Sequence, residues 1–436
     1  MFLLRLLLRL AIIYWIILPV IAQSQEVGPD NYLTAIAKAD PGSIIKLLPG
    51  RYNQGLPLIG LNGTQDKPIV IEAADIQRLP LFIARAGKNT VSIIDSSYVE
   101  LRNIIFDGRD LPVDAIKAEG YSHYTHHITL EGLKILNHGI HQGINGISTK
   151  CPSWGWVIRG NTIVRAGTGL YLGNSDGSAP FFSGVIENNL VYDTLGYNLQ
   201  IKHQHIRNSK VPLPPGPHVT IIRHNVFSKF GNASTDKAAR PNVLVGHFPP
   251  EGHGTDDRYV IYGNFFYANA TEALFQGEGN VALYANLFLN PLGSAIHIQP
   301  HNDKPKNIWI FHNTVVANGN GVRFLGASED YIRLFAGNIV FARHSLIENS
   351  YEDNLFGYFP EAAERNLIEP LASPGKINLK LRSLQQQVSD KACRLSEAFP
   401  DADEDFNGSV YKQCNVGAYA MGSKVKGWTP SFTIKR

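Results

Sequence analysis

The chain has 436 residues, with 40 basic side chains against 37 acidic ones and a formal net charge of +3. A balance this close to neutral argues against nucleic acid as a partner, and in bulk it does not call for a polyanion either. Length alone allows two or three domains, unless repeats extend a single body.

The chain opens with MFLLRLLLRLAIIYWIILPVIAQSQ, in which Arg5 and Arg9 precede an apolar run and Val20-Ile21-Ala22 supplies short residues at its end. This is the pattern of a secretory signal over residues 1–22, with cleavage after Ala22. The run is nearly long enough to be an uncleaved anchor, but polar Gln23, Ser24 and Gln25 come directly after the short residues. No later segment is apolar enough to cross a bilayer. The expected product is a secreted or periplasmic chain with no membrane partner once the signal is removed. Next comes Asn31–Asp40, where Leu33, Ile36 and Ala37 have helical spacing. A short helix there would plug the open first coil of a strand repeat and block edge pairing.

Such a repeat occupies most of the remaining chain. Asn before two or three apolar residues returns at Asn103, Asn161, Asn189, Asn225, Asn264, Asn286, Asn313 and Asn338, with Gly132 standing where one more is expected. The apolar runs are short, β-branched and punctuated by Gly and Asn, which favours strands over helices. Asn suits the corner between strands because it tolerates left-handed backbone angles, and its amide can bond to the Asn one coil away. A second register, AIKAE (115–119), GIHQG (139–143), GLYLG (169–173), NLQIK (198–202), NVLVG (242–246), ALFQG (273–277), AIHIQ (295–299) and GVRFL (321–325), gives one further strand per coil. The fold expected is all-β: a single-stranded right-handed parallel β-helix with an N-terminal capping helix over residues 23–345. Residues 346–436 are expected to form irregular final coils and a covering tail. Cys393 and Cys414 are close enough in sequence to be bridged there, leaving Cys151 over.

The run LTAIAKADPGSIIKLLPGRYNQGLPLIGLNGTQDKPIVIEA resembles the opening of the pectate-lyase-like β-helix superfamily, nearest to its chondroitinase B and alginate lyase branch. The segments INLKLRSLQQQVSDKACRL and DEDFNGSVYKQCNVGAYA are similar to the closing part of many bacterial β-helix proteins. The resemblance spans most of residues 28–420 and implies a carbohydrate-active protein. In that branch a Lys and an Arg share the catalytic face. Lys202 matches the Lys, whereas the register places Arg223 on a different sheet, beside the Asn repeat.

Read outward, the second register gives two surface columns: Lys117, His141, Tyr171, Gln200, Leu244, Phe275, His297, Arg323, and Glu119, Gly143, Gly173, Lys202, Gly246, Gly277, Gln299, Leu325. Lys202 then stands in a glycine trough open to a ligand. The two longest intervals, Asn189 to Asn225 and Asn225 to Asn264, straddle it, and insertions 174–184, 203–218 and 247–258 leave one edge, as walls of a binding face do. A uronate lyase needs a carboxylate clamp, a base and an acid. Lys202, Tyr171, His203 and His247 are the candidate catalytic residues, and His141, Gln200, Arg240, Phe275, His297 and Arg323 the candidate substrate contacts. Glu278, His301 and Asp303 carry oxygen ligands of the kind Ca2+ takes, but no dense Asp set accompanies them; no other cofactor is expected. Gly252-His253-Gly254 lies in a loop, and no phosphate-loop, dinucleotide or zinc-protease motif is present. The reading is an exported polysaccharide lyase or related epimerase on an acidic polysaccharide; the alternative is a non-catalytic glycan-binding or scaffold β-helix.

Overall fold

The computed structural model describes residues 24–119, 124–207, 211–326, 328–346, 353–383, 389–395, 397–411, 415–421 and 427–436. Residues 1–22, read above as a signal, and Cys414 therefore lie outside the described residues; Cys393 is disulfide-bonded and Cys151 is a buried free thiol. No helix among the described residues is long and apolar enough to cross a membrane.

The chain winds as a right-handed parallel β-helix with three faces. The first face runs from Ser24–Val27 to Arg333–Ala336, each strand pairing in parallel with the strand one coil on. The second begins at Arg51–Tyr52 and the third at Leu56–Ile59; the long strands Thr314–Phe324 and Ile339–Leu346 run through both. Alternation puts one side chain in two inside. On the first face Ile71, Leu101, Leu130, Ile158, Ile186 and Ile222 stack in register, all fully buried. Each contributes about 1.5–3 kcal/mol relative to exposure, and no single coil could bury its own apolar edge.

The capping helix, α1, is short, Tyr32–Ala37. It closes the first coil through Tyr32, whose hydroxyl donates to the carbonyl of Gly55 at 2.6 Å and whose ring stands edge-on to Tyr52 at 5.0 Å.

The Asn repeat forms a ladder, with two corrections. Asn161 donates its amide to Asn189 Oδ1, and the same bond recurs through Asn225, Asn264, Asn286, Asn313 and Asn338 to Asn354 at 2.9–3.1 Å. The left-handed angle, however, falls on the residue before each rung: Asn188, His224, Gly263, Ala285, His312 and Gly337 have φ between 48° and 67°. Asn103 belongs to that preceding column, aligned with Gly132 rather than with Asn161. At the rung itself that coil carries Ile104 and the next Leu133, whose amide donates to Asn161 Oδ1.

The C-terminal segment decides which face stays open. Trp428, Phe432 and Ile434 lie over outward apolar residues of the second face such as Val226, Phe265, Leu287 and Val316. Leu395, Phe399 and Ala402 cover Val260, Tyr284 and Phe311 on the first. The far end is pinned by Lys435, whose amine bonds the carbonyls of Gly263 and Phe406 and the ring nitrogen of His224. Arg223 is enclosed in this arrangement, bonded to Glu187, Tyr262 and Asp401 on the first face. The third face carries polar outward side chains and is left uncovered.

Candidate functional site

Strand pairing fixes the outward column of the third face as Ser92, Lys117, Ser148, Tyr171, Gln200, Leu244, Gln276, His297 and Arg323. Two coils therefore differ from the sequence register. Asn145–Thr149, not 139–143, is the strand beside Lys117, and His141 sits in the turn before it, accepting from the Gly143 amide. In the 273–277 coil the phase shifts by one: Phe275 pairs with Val243 and Ile296 and is fully buried, so Gln276, itself 7% exposed, takes its place in the outward column. Phe275 is thus core and no sugar platform.

The next column shifts with it. Backbone hydrogen bonds continue the ladder one residue past the strands, aligning Glu119, Lys150, Gly173, Lys202, Gly246 and Glu278. Lys202 is flanked by Gly173 and Gly246 as expected, but for a structural reason. A Cβ on Gly246 would come within 2.3 Å of the His203 amide nitrogen, and Gly173 has φ +89°. These glycines let the chain leave the strand at a tight corner, and the trough follows as a consequence.

Lys150 lies two coils from Lys202 across Gly173, and Tyr171 stands beside both. The Lys150 amine is 3.4 Å from the Tyr171 ring centroid and that of Lys202 is 5.9 Å from it. Burial pushes Lys150 down to about 8; Asp114 opposes the shift, and Lys117 and Lys202 add to it. The ring face attracts an ammonium by about 0.5–2 kcal/mol, a counterweight to that burial cost. Burial also lowers Lys202, with Glu278 opposing and Arg240 adding, and it raises the Tyr171 phenol.

Two cavities meet at this point. One of about 1020 Å³ lies over the early coils and is lined by Arg85, Lys88, Lys117, Asp114, Glu119 and Lys150 among others. The second, of about 530 Å³, contains Lys202, Gln200, Arg240, Glu272, Gln276 and Tyr197. Tyr171 and Gln142 line both, so the two form one groove.

The expected wall is present. His205 donates its amide to the carbonyl of Gly177, Gln204 its amide to that of His247, and a buried Arg207–Asp257 ion pair locks insertion 203–218 to 247–258. The opposite wall is loop 229–241, which no sequence pattern marks. It carries Arg240, whose guanidinium stands 6.0 Å from the Tyr197 ring. The carbonyl of Arg240 accepts from Lys229 Nζ at 2.8 Å and Asn269 Nδ2 at 2.9 Å.

Of the candidates, the structure brings together Lys202, Tyr171, Gln200 and Arg240. His297 lies three coils beyond Gln200, next to Gln276, its ring 4.0 Å from Glu272; Arg323 is a further coil away. His203 and His247 turn into a separate cavity of about 520 Å³ behind the wall, and His247 is tied to the carbonyl of Lys304 at 2.9 Å. Lys150, Gln276, Tyr197 and Glu272 are among the groove residues that sequence reasoning missed, as are Arg85, Lys88, Asp114 and Gln142 over the early coils.

A calcium site does not fit. Glu278 Oε2 accepts the backbone amides of His301, Asn302 and Asp303 at 2.8–3.2 Å, which leaves Oε1 alone of this carboxylate for a cation, far from the roughly six to eight oxygens calcium takes. Among the described residues no group of three or more His, Cys, Asp or Glu side chains is placed to hold a metal. The other groove carboxylates are likewise engaged. Asp114 accepts from Asn145 and Ser148, Glu119 pairs with Lys117 at 3.4 Å, and Glu272 accepts the Ala273 amide. Arg85, Lys88, Lys150, Lys202 and Arg240 have no salt-bridge partner among the described residues.

The fold and this groove define a right-handed parallel β-helix protein with a cation-lined cleft on one face. No protein-family model matches the chain, and the comparison with curated proteins likewise finds no relative. Among solved structures it is similar to the family 6 polysaccharide lyase described as alginate lyase AlyGC, at 12% identity over 92% of this chain and 59% of that one, with a TM-score of 0.49. It is also similar to an alginate lyase from Paenibacillus sp. str. FPU-7, at 14% identity, 77% and 98% coverage and a TM-score of 0.44. A third is the mannuronan C-5 epimerase AlgE4 A-module of Azotobacter vinelandii, at 15% identity, 76% and 89% coverage and 0.42. At these identities the likeness is one of fold.

Proposed function

We propose that this protein is an exported polysaccharide lyase that cleaves an acidic polysaccharide by β-elimination in the third-face groove. The observation that carries this reading is the pair of lysine amines without acidic partners, Lys150 and Lys202, on either side of Tyr171. Together with Arg240 they are suited to neutralising a uronate carboxylate, which makes the neighbouring C–H acidic. Tyr171 sits where a proton donor or acceptor is required. Hydrolysis is poorly served, because glycosidases rely on two available carboxylates and the groove carboxylates are bound elsewhere. The even bulk charge does not conflict with a polyanion, since Arg85, Lys88, Lys150, Lys202 and Arg240 line one cleft, where a charged wall focuses its field. The apolar N-terminal segment, read as a signal, would deliver the chain to such a substrate.

The test is the ultraviolet absorbance of unsaturated uronate while the mature chain meets alginate, pectate, chondroitin and dermatan sulfates, heparin and hyaluronan. A rise on one of them supports elimination and names the sugar. A flat trace accompanied by solvent deuterium uptake at the sugar carbon moves the assignment to an epimerase. A flat trace with binding alone makes the protein a glycan-binding β-helix.

A further inference from the structure

The family resemblance points to Lys202 as the reactive amine; the geometry points to its neighbour. We propose that Lys150 is the proton-abstracting base of the groove, with Lys202 and Arg240 holding the uronate carboxylate and Tyr171 protonating the leaving oxygen. This assignment rests on the lyase reading above.

Position is the first argument. Among the described residues only Tyr171 and Gln142 line both cavities, so a chain occupying the whole groove crosses the Tyr171 ring, with Lys150 on the side of the larger cavity and Lys202 on that of the smaller. Gly173 separates the two lysines and puts no side chain between their amines and a sugar. The second argument is division of labour. Lys202 shares its cavity with Arg240, the partner a carboxylate clamp needs, and Glu278 favours its charged form. Lys150 faces Asp114, Lys117, Lys202 and Tyr171; burial first and then the two lysines disfavour its charge, against the opposing Asp114 carboxylate, which Asn145 and Ser148 hold in place. Tyr171, its phenol raised by burial, stays protonated and able to donate.

The step balances without an added oxidant, reductant or metal. The neutral Lys150 amine takes the proton from the carbon next to the carboxylate, and that electron pair becomes the new C=C bond. The C–O bond to the neighbouring sugar breaks, its pair goes to oxygen, and the Tyr171 hydroxyl supplies a proton there. Lys150 ends as ammonium and Tyr171 as phenolate, and exchange with solvent resets both.

Substitution by arginine tests this, because arginine keeps the charge and cannot give up its proton. Turnover of the cleaved polysaccharide, and calorimetric binding of oligouronates cut from alginate and pectate, are compared for the unaltered mature chain, Lys150→Arg, Lys150→Gln and Lys202→Arg. Lys150→Arg is expected to bind within about threefold of the unaltered chain and to lose kcat by ~10²-fold or more, the scale of general-base catalysis. Lys202→Arg raises KM and keeps a turnover limb that climbs through pH 8. Lys150→Arg retaining kcat within about tenfold, or losing binding and turnover together at an unchanged melting temperature, overturns the assignment while leaving the lyase reading intact. An unaltered chain that neither binds nor cleaves any of these glycans overturns both. If the arginine variant melts early, the smaller Lys150→Gln carries the comparison.

Discussion

Lys229 Nζ donates to the backbone carbonyl of Arg240 at 2.8 Å, so an amine only 2% exposed holds a residue that lines the groove with Lys202 and whose guanidinium donates to the carbonyls of Lys237 and Ala239. Burial pushes Lys229 down to about 7, with Arg240 adding to the shift and Glu272 opposing it. An unfolded lysine titrates near 10.4. Between those values the unfolded chain binds more protons, so this group makes stability rise with pH, by at most about 1.4 kcal/mol per unit. Below pH 7 both states are charged and the burial cost is fully present. Lys229→Met is therefore expected to flatten the rise in urea midpoint between pH 7 and 9 relative to the unaltered chain. Equal slopes for the two proteins would show that Lys229 does not titrate in that window.

The Asn ladder makes a second prediction. Asn225 is fully buried, its amide donates to Ile186 O and Asn264 Oδ1, and its Oδ1 accepts from both the backbone and the side chain of Asn189. Truncation to alanine strands those partners, and each buried group left without a bond costs about 1–3 kcal/mol. Asn225→Ala should lose roughly 3 kcal/mol or more in chemical denaturation. Asn103→Ala, outside the ladder, should lose about 1 kcal/mol or less, from its left-handed φ of 58°. Equal losses at the two positions would contradict the ladder assignment.

The wall of the groove depends on one ion pair. Arg207 and Asp257 are 4% and 1% exposed at their side chains, and Asp257 also accepts the His218 amide at 2.9 Å. Removing one charge of a buried pair leaves the other uncompensated, at about 3–5 kcal/mol. Asp257→Asn should therefore lower the melting temperature and speed proteolysis in 203–218 and 247–258 before the β-helix itself is cut. Cleavage in the β-helix coils first would mean that the wall does not depend on this pair.

The fold was legible because its signal is repeated: Asn before an apolar run, coil after coil, overdetermines a solenoid even when Asn103 is assigned one column off. The site was legible only in part, because a column one residue wide depends on the phase of each coil. The segment 139–143 imitates the glycine-bounded strand at 169–173, which hid NGIST (145–149) and with it Lys150. Period-2 alternation in that segment places Ile147 and Thr149 inward and Ser148 and Lys150 outward, so the information was present but outweighed by a look-alike. Arg240 was named from the sequence as a residue type, whereas its place in the groove comes from loop 229–241, whose path no periodicity encodes. Nor does any local pattern reveal that the tail covers two faces, and that coverage is what leaves the third face open.

The 273–277 coil gives the sharpest check of register, because adjacent residues exchange roles. Phe275 is fully buried between Val243 and Ile296, with its ring 6.3 Å from Phe266, whereas Gln276 lines the groove beside Lys202. Phe275→Ala opens a core cavity and should cost about 3–5 kcal/mol in unfolding free energy. Gln276, outward but only 7% exposed, should cost less on truncation, about 1 kcal/mol for Gln276→Ala, and the same change should weaken oligouronate binding in calorimetry. The frame-shifted alternative, with Phe275 as a sugar platform, predicts the reverse: a stable Phe275→Ala protein that has lost its ligand. Circular dichroism melts and a single binding isotherm for each variant distinguish the two frames.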